Sequence, residues 1–256
     1  MRAQTITARI SFICFLLAVV NFLVAALGTH AGLWSYKIGL PLLLPALLLG
    51  LIALVAGIVW GVIALVRNSG AGSRWGVIGL VGAALVLAIP LNYVRLGLMA
   101  PPIHDISTDI EYAPSFKALL PLRQGAANGP EYDGPKLVTL PGGKVTTVTA
   151  LQKKYYGDII PFAQFIKPAK LFWRALNVAN KMGWHVVAFN EKEGRIEATD
   201  TTFWFGFTDD IVIRVRPAGK LGARLDIRSK SRVGVSDVGS NAARLRAFLK
   251  TLKTMG

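Results

Sequence analysis

The sequence predicts an α+β protein in which three N-terminal transmembrane helices precede a soluble domain ordered helix, four antiparallel strands, helix. Three observations carry this reading. All 14 acidic residues lie after position 100, and Arg2, Arg9, Lys37, Arg67, Arg74 and Arg95 are the only full charges before it, so the two parts face different solvents. Three long apolar runs fill the first hundred positions. From Pro168 onward, apolar residues recur first at helical and then at strand spacing. The expected organisation is a membrane anchor over 1–100, a Pro/Gly-rich connecting segment over 101–166 packed on the domain, and a soluble domain over 167–256.

The apolar runs predict helices over about 10–28, 40–66 and 76–98. Each is close to the ~20 residues that cross a ~30 Å hydrocarbon layer at 1.5 Å per residue. Pro41 and Pro45 fall in the first turns of the second run, where a missing N–H is harmless, and Pro90 falls near the far end of the third. A secretory signal peptide is the alternative for the first run, because Arg2 and Arg9 make a basic front and Ala25-Ala26-Leu27-Gly28 ends it with small residues. Basic residues in short loops set orientation: Arg2, Arg9, Arg67 and Arg74 on one side oppose Lys37 on the other. The amino terminus is therefore expected in the cytoplasm and residues from 101 onward outside it, in the periplasm of a two-membrane bacterium, with Arg95 snorkelling at the outer end. Ala53, Gly57 and Gly61, and Gly76, Gly79 and Gly82, form small-residue stripes suited to close helix packing. Asn21 and Asn92 are neutral amides, and with Arg95 at the outer end no carboxylate or cation lies in the membrane interior, which argues against a transporter.

Between positions 101 and 168 lie nine of the thirteen prolines, so this stretch reads as mostly irregular chain held against the domain. His104, Asp105, Asp109 and Glu111 have the donor types of a hard-cation site, but their spacing matches no loop of defined geometry. They read instead as a polar exit from the membrane; no metal and no cofactor are expected. The single cysteine, Cys14, sits in the first apolar run, so the soluble part has no internal disulfide.

Leu171, Ala175, Val178, Ala179 and Met182 make one apolar helical stripe, opened by Pro168 and closed by Gly183. Residues 184–189 and 195–201 read as a hairpin about the turn 190–194, and residues 210–216 and 224–232 as a second about 217–222. Leu245, Phe248, Leu249 and Leu252 mark a last helix starting near Ser240. Both helices are expected on the apolar face of the sheet. Arg214, Arg216, Arg224 and Arg228 alternate with Ile213, Val215, Leu225 and Ile227 and so would project from the other, open face. Such a row reads either as a solvated face with cross-strand pairs to Glu197 and Asp226 or as an anion-binding surface.

The stretch Phe205-Gly206-Phe207-Thr208-Asp209-Asp210-Ile211-Val212-Ile213-Arg214 resembles the bacterial family called domain of unknown function 1499. So do Arg228-Ser229-Lys230-Ser231-Arg232-Val233-Gly234 and Ser236-Asp237-Val238-Gly239-Ser240-Asn241-Ala242-Ala243-Arg244. Ile103-His104-Asp105-Ile106-Ser107-Thr108-Asp109 is similar to its entry motif, so the resemblance covers about 101–253. It implies an envelope protein and brings no activity, hence no catalytic residue. It marks Asp209, Asp210, Arg214, Arg228, Ser231, Arg232, Ser236, Asp237, Asn241 and Arg244 as candidate ligand-binding positions. Residues 234–241 lead into a helix amino terminus, whose free N–H groups favour an anion, or are simply capped by Asp237 or Ser240.

After position 100 there are 23 basic residues against 14 acidic, which favours anionic partners. The expected function is a non-enzymatic, membrane-anchored binding or scaffolding module contacting membrane lipid, an anionic envelope glycan or an envelope protein, and no nucleic acid. Two other classes compete: a structural subunit of a membrane complex using the small-residue stripes, and a serine hydrolase using Ser236. The second is the weaker, because Gly234-Val235-Ser236-Asp237-Val238-Gly239 has its second glycine one position too far for a nucleophile elbow. No base adjoins it in sequence; His30, His104 and His185 are the only histidines. The aromatic cluster Phe203, Trp204, Phe205 and Phe207 reads as packing rather than a lipid or sugar platform.

Overall fold

A computed structural model describes residues 2–255. Its internal contacts divide it into two units: residues up to Arg95 together with 203–206, and residues 96–202 together with those from Phe207 onward.

The first unit holds α1 (Arg2–His30), the short α2 (Tyr36–Gly39), α3 (Leu43–Val66) and most of α4 (Ser73–Met99). Three helical stretches, Arg2–His30, Tyr36–Val66 and Ser73–Met99, are long and apolar enough to cross a membrane. α1 starts eight residues before its apolar run because the polar front turn has partners: the Gln4 amide donates to the Ser69 carbonyl at 2.7 Å. The small residues permit close approach. A Cβ at Gly57 would lie 2.9 Å from Leu80 Cβ, and one at Gly79 would lie 2.7 Å from the backbone N of Phe12. Ser11 Oγ donates to the Ala53 carbonyl at 2.8 Å where α1 meets α3. Trp204 packs edge-on to Phe22 and Phe203, so that part of the aromatic cluster is packing.

The second unit runs β1 (Asp105–Ser107), a 3-10 turn (Pro121–Arg123), β2 (Leu137–Thr139), β3 (Val145–Thr147), α5 (Val148–Tyr156) and β4 (Phe162–Gln164). It continues with α6 (Pro168–Lys181), β5 (His185–Asn190), β6 (Arg195–Thr201), β7 (Thr208–Ala218), β8 (Gly222–Ser231) and α7 (Ser240–Thr254). It is an α+β domain, as expected. The sheet is antiparallel in the order β1-β8-β7-β6-β5, with β4 also paired to β8. The helix, two hairpins and helix foreseen from periodicity are all present. The sheet has six strands rather than four, because β1 and β4 from the proline-rich stretch add to β8: Asp105 to Ser107 face Lys230 to Arg228, and Phe162 to Gln164 face Leu225 to Ala223.

One sheet face carries Ile196, Ala198, Ile211, Ile213, Val215, Leu225 and Ile227, all buried with Leu171, Phe172, Ala175 and Val178 of α6 and Leu245, Phe248 and Leu252 of α7. In the first hairpin, Gly194 is left-handed (φ 62°), and a Cβ there would meet the Val215 carbonyl oxygen at 1.9 Å, so only glycine fits.

Candidate binding cavity and the charged network beside it

The second sheet face is not open. Residues 108–133 cross it, burying Phe116 and Leu119 against Val212. Of the alternating arginines, Arg228 is therefore covered, while Arg214, Arg216 and Arg224 keep 27, 40 and 36% of their side chains in solvent at the edge of this cover. Arg228, only 1% exposed, makes a two-pronged pair with Asp105 (2.8 and 2.9 Å) and also donates to the carbonyls of Pro114, Pro130 and Glu131. Its guanidinium lies over the Phe116 ring. Asp210 is held by Arg232 and by the buried Arg123, which brings the 3-10 turn down onto the sheet. Arg214, Arg216 and Arg224 converge on Asp109 Oδ2 at 3.1, 2.8 and 2.9 Å, and all three also contact Asp226. A charge excluded from water needs a partner close by, and the buried Asp105, Asp210, Asp226, Arg123 and Arg228 each have one.

Eight of the ten candidate ligand-binding positions separate into two groups on opposite sheet faces, and Ser236 and Asp237 lie in the loop before α7. Asp210, Arg214, Arg228 and Arg232 belong to the covered network just described. Asp209, Ser231, Asn241 and Arg244 lie on the helix side, where Arg244 reaches Asp209 at 2.7 Å and Asp200 at 2.9 Å. There Asn241 donates to Ser231 Oγ at 2.9 Å and to the His104 carbonyl at 3.1 Å. Asp237 accepts from the backbone N–H of Gly239 and Asn241, both at 2.8 Å, and so satisfies the amino terminus of α7. Ser240 is the first residue of that helix and left-handed Gly239 its N-cap. Val238, a β-branched residue, is also held left-handed (φ 49°), a costly conformation fixed by these bonds.

Ser236 Oγ donates to the Pro101 carbonyl at 3.2 Å and accepts from the N–H of Val238 at the same distance. The fold does bring a histidine near it, which spacing could not foretell. His104 Nδ1 faces the Val235 carbonyl at 3.1 Å and Nε2 faces Asp133 Oδ2 at 3.0 Å, so neither ring nitrogen is directed at Ser236.

His104 and Asp133 line a cavity of about 250 Å³ with Ile103, Leu137, Val138, Thr139, Val148, Val235, Asp105 and Lys136. Its acids are spoken for: Asp105 by Arg228, and Asp133 by His104 and by Lys230 at 2.9 Å. Exposed Lys136 at the mouth has no carboxylate within ion-pair distance among the described residues. The walls are otherwise mostly apolar. The volume is slightly below the 300–1,000 Å³ of whole-cofactor pockets, so it accommodates part of a ligand. The sequence pointed to His104 and Asp105 through the entry motif and marked Leu137 to Leu140 as an apolar piece held against the domain, but nothing in spacing marked Asp133 or Lys136.

Burial favours the neutral form of Asp133, but His104 and Lys230 outweigh it and hold the carboxyl well below the usual range. Asp109 is likewise lowered: burial opposes the shift, while the N–H of Tyr112 and the arginines of the cluster produce it. A carboxyl lowered by folding adds stability above its unfolded value and loses it as pH falls through the folded one. Asp237 is shifted upward, chiefly by burial, so its contribution runs the opposite way. Asp158, bonded to Arg246, and Glu193, bonded to Lys117 and Arg195, are lowered as well, so four carboxyls run against one: the melting temperature is expected to fall as pH drops below about 4, and less steeply in Asp133→Asn. A flat acid limb in the wild type, followed by differential scanning calorimetry, would contradict this.

The family model described as Protein of unknown function (DUF1499) matches residues 105–252, more than half of the chain. The match spans β1 through α7 and takes in the motifs of the resemblance except Ile103 and His104, the first two residues of the entry motif. No curated protein matches the chain. The chain belongs to the DUF1499 family.

Proposed function

We propose that the protein is a non-catalytic, membrane-anchored module of the bacterial inner membrane, with its amino terminus cytoplasmic and its domain periplasmic, that holds the head of an anionic amphiphile in the cavity beside His104 and Lys136. The observation that carries this is the pairing pattern. Nine of the ten arginines after position 100 contact a carboxylate, all but Arg174, whereas of thirteen lysines only Lys117 and Lys230 do so among the described residues. The arginines are spent on the fold, and the surplus positive charge rests on lysines. Lys136 is the one such lysine lining the cavity. An apolar wall with one unneutralised cation at its mouth suits a ligand with an acidic head and a greasy stem.

Location supports the same reading. The lining begins at Pro102, three residues after α4 ends at Met99, so the chain can separate them by only about 10 Å. Gly57, Gly76, Gly79 and Gly82 already pack against neighbours within the chain and only Gly61 of the stripes stands open among the described residues, which favours a binding module over a structural subunit.

Mass spectrometry of the full chain extracted in mild detergent is expected to find an anionic amphiphile on the wild type. Lys136→Glu should lower occupancy about tenfold, the effect of ~1.4 kcal/mol, and Val148→Phe, which fills the cavity, should also lower it. Unchanged occupancy in a Lys136→Glu protein with normal melting would overturn the proposal.

A further inference from the structure

At the end of the sheet where β4 meets the start of β8, two large apolar side chains stand in solvent: Phe165 is 90% exposed and Leu221 80%. They are neighbours. Gln164 pairs with Ala223, and the Ile166 N–H bonds back to the Gln164 carbonyl at 2.9 Å, turning the chain tightly at Phe165 opposite the Leu221-Gly222 corner. Lys167, Lys170 and Lys220 flank them, all exposed and none with a carboxylate partner among the described residues. No acidic residue occurs between Asp158 and Glu191 or between Asp210 and Asp226, the stretches that build this tip. A soluble protein gains nothing from holding a phenylalanine and a leucine in water at a lysine-flanked tip.

We infer that this tip docks onto the anionic surface of the bilayer that the protein's own helices span, with Phe165 and Leu221 entering the head-group layer and the three lysines meeting lipid phosphates. The chemistry is that of interfacial anchors, in which an apolar wedge ringed by lysine enters an anionic surface and stays out of a neutral one. An acidic protein or a polyanionic glycan would account for the lysines and leave the apolar apex unused. The bilayer in which the chain is anchored is the lipid surface met at the highest effective concentration. The tip is distinct from the cavity. The strand from the membrane side enters at Asp105, opposite Lys230 near the far end of β8, nine residues and about 30 Å from Leu221. Docking therefore gives the domain a second hold on the membrane, well separated from its covalent tether.

The test uses the full chain with Cys14→Ser and Ala163→Cys, labelled at position 163 with an environment-sensitive fluorophore and placed in nanodiscs of phosphatidylcholine with or without phosphatidylglycerol. Blue-shifted emission shielded from an aqueous quencher is expected only with phosphatidylglycerol, weakening as salt is raised. Replacing Lys167, Lys170 and Lys220 by Gln should lower the docked-to-undocked ratio on the order of 100-fold, and Phe165→Ser with Leu221→Ser should abolish shielding. These side chains are in solvent, so the variants fold. An unshifted wild type, or shielding that survives either set of substitutions, overturns the inference.

Discussion

Replacing Arg228 by Ala is expected to destabilise the soluble domain by about 3–5 kcal/mol, lowering its melting temperature on the order of 10 °C. The side chain is almost wholly buried, and removing it leaves Asp105 in the covered layer with only Lys230, at 3.5 Å, as a cationic neighbour. It also frees the carbonyls of Pro114, Pro130 and Glu131, which Arg228 ties to the sheet, and exposes the ring of Phe116 beneath it. The comparison that gives the experiment its force is Arg246→Ala. Arg246 pairs with Asp158 at 2.6 Å, but both side chains are about half exposed, and surface pairs contribute about 0–1 kcal/mol. Thermal melts of the two variants should therefore differ severalfold in their effect. Equal losses would mean that the covered layer is not what holds residues 105–131 in place.

The second large effect is expected at Phe248. Its ring is fully buried and stacks on Trp184, with centroids 5.4 Å apart and planes 13° from parallel. It bridges α7 to the start of β5, two elements far apart in sequence. Phe248→Ala removes the ring and leaves a cavity that a rigid sheet cannot close, a change that costs about 3–5 kcal/mol in such cores. Denaturant unfolding should show that loss with an unchanged slope, and the near-ultraviolet dichroism of Trp184 should weaken. A loss below about 1 kcal/mol would show that α7 does not depend on this contact.

The parts of the fold that were legible are those with a long repeat. The stripe from Leu171 to Met182 gave α6, and strict alternation through Ile211, Ile213 and Val215 gave the inward face of β7. β1 and β4 were hidden because each is three residues long and borrows its order from β8 instead of from its own pattern. α5 did carry a signal: Thr147 caps it by accepting from the Ala150 N–H, and Val148, Leu151, Gln152 and Tyr156 are its buried side, but the surrounding prolines masked it. Period-two reasoning placed Arg214 and Arg228 correctly on the face away from the helices. It could not say that the chain between Thr108 and Asp133 returns to cover that face, because the pairing of Arg228 with Asp105 spans 123 residues and leaves no local trace. The cavity was obscured for the same reason, since Asp133, Lys136 and Val235 meet His104 only through tertiary contacts.

The division of labour between arginines that fold the domain and a lysine that meets the ligand is tested most directly by one comparison of amphiphile occupancy. The full chain is measured by native mass spectrometry as wild type, as Lys136→Glu, and as Arg214→Gln with Arg232→Gln. The arginine variant should melt lower yet, below its transition, retain the occupancy of the wild type, while Lys136→Glu should melt normally and lose it. Loss of ligand in a folded arginine variant, with retention in Lys136→Glu, would contradict that division.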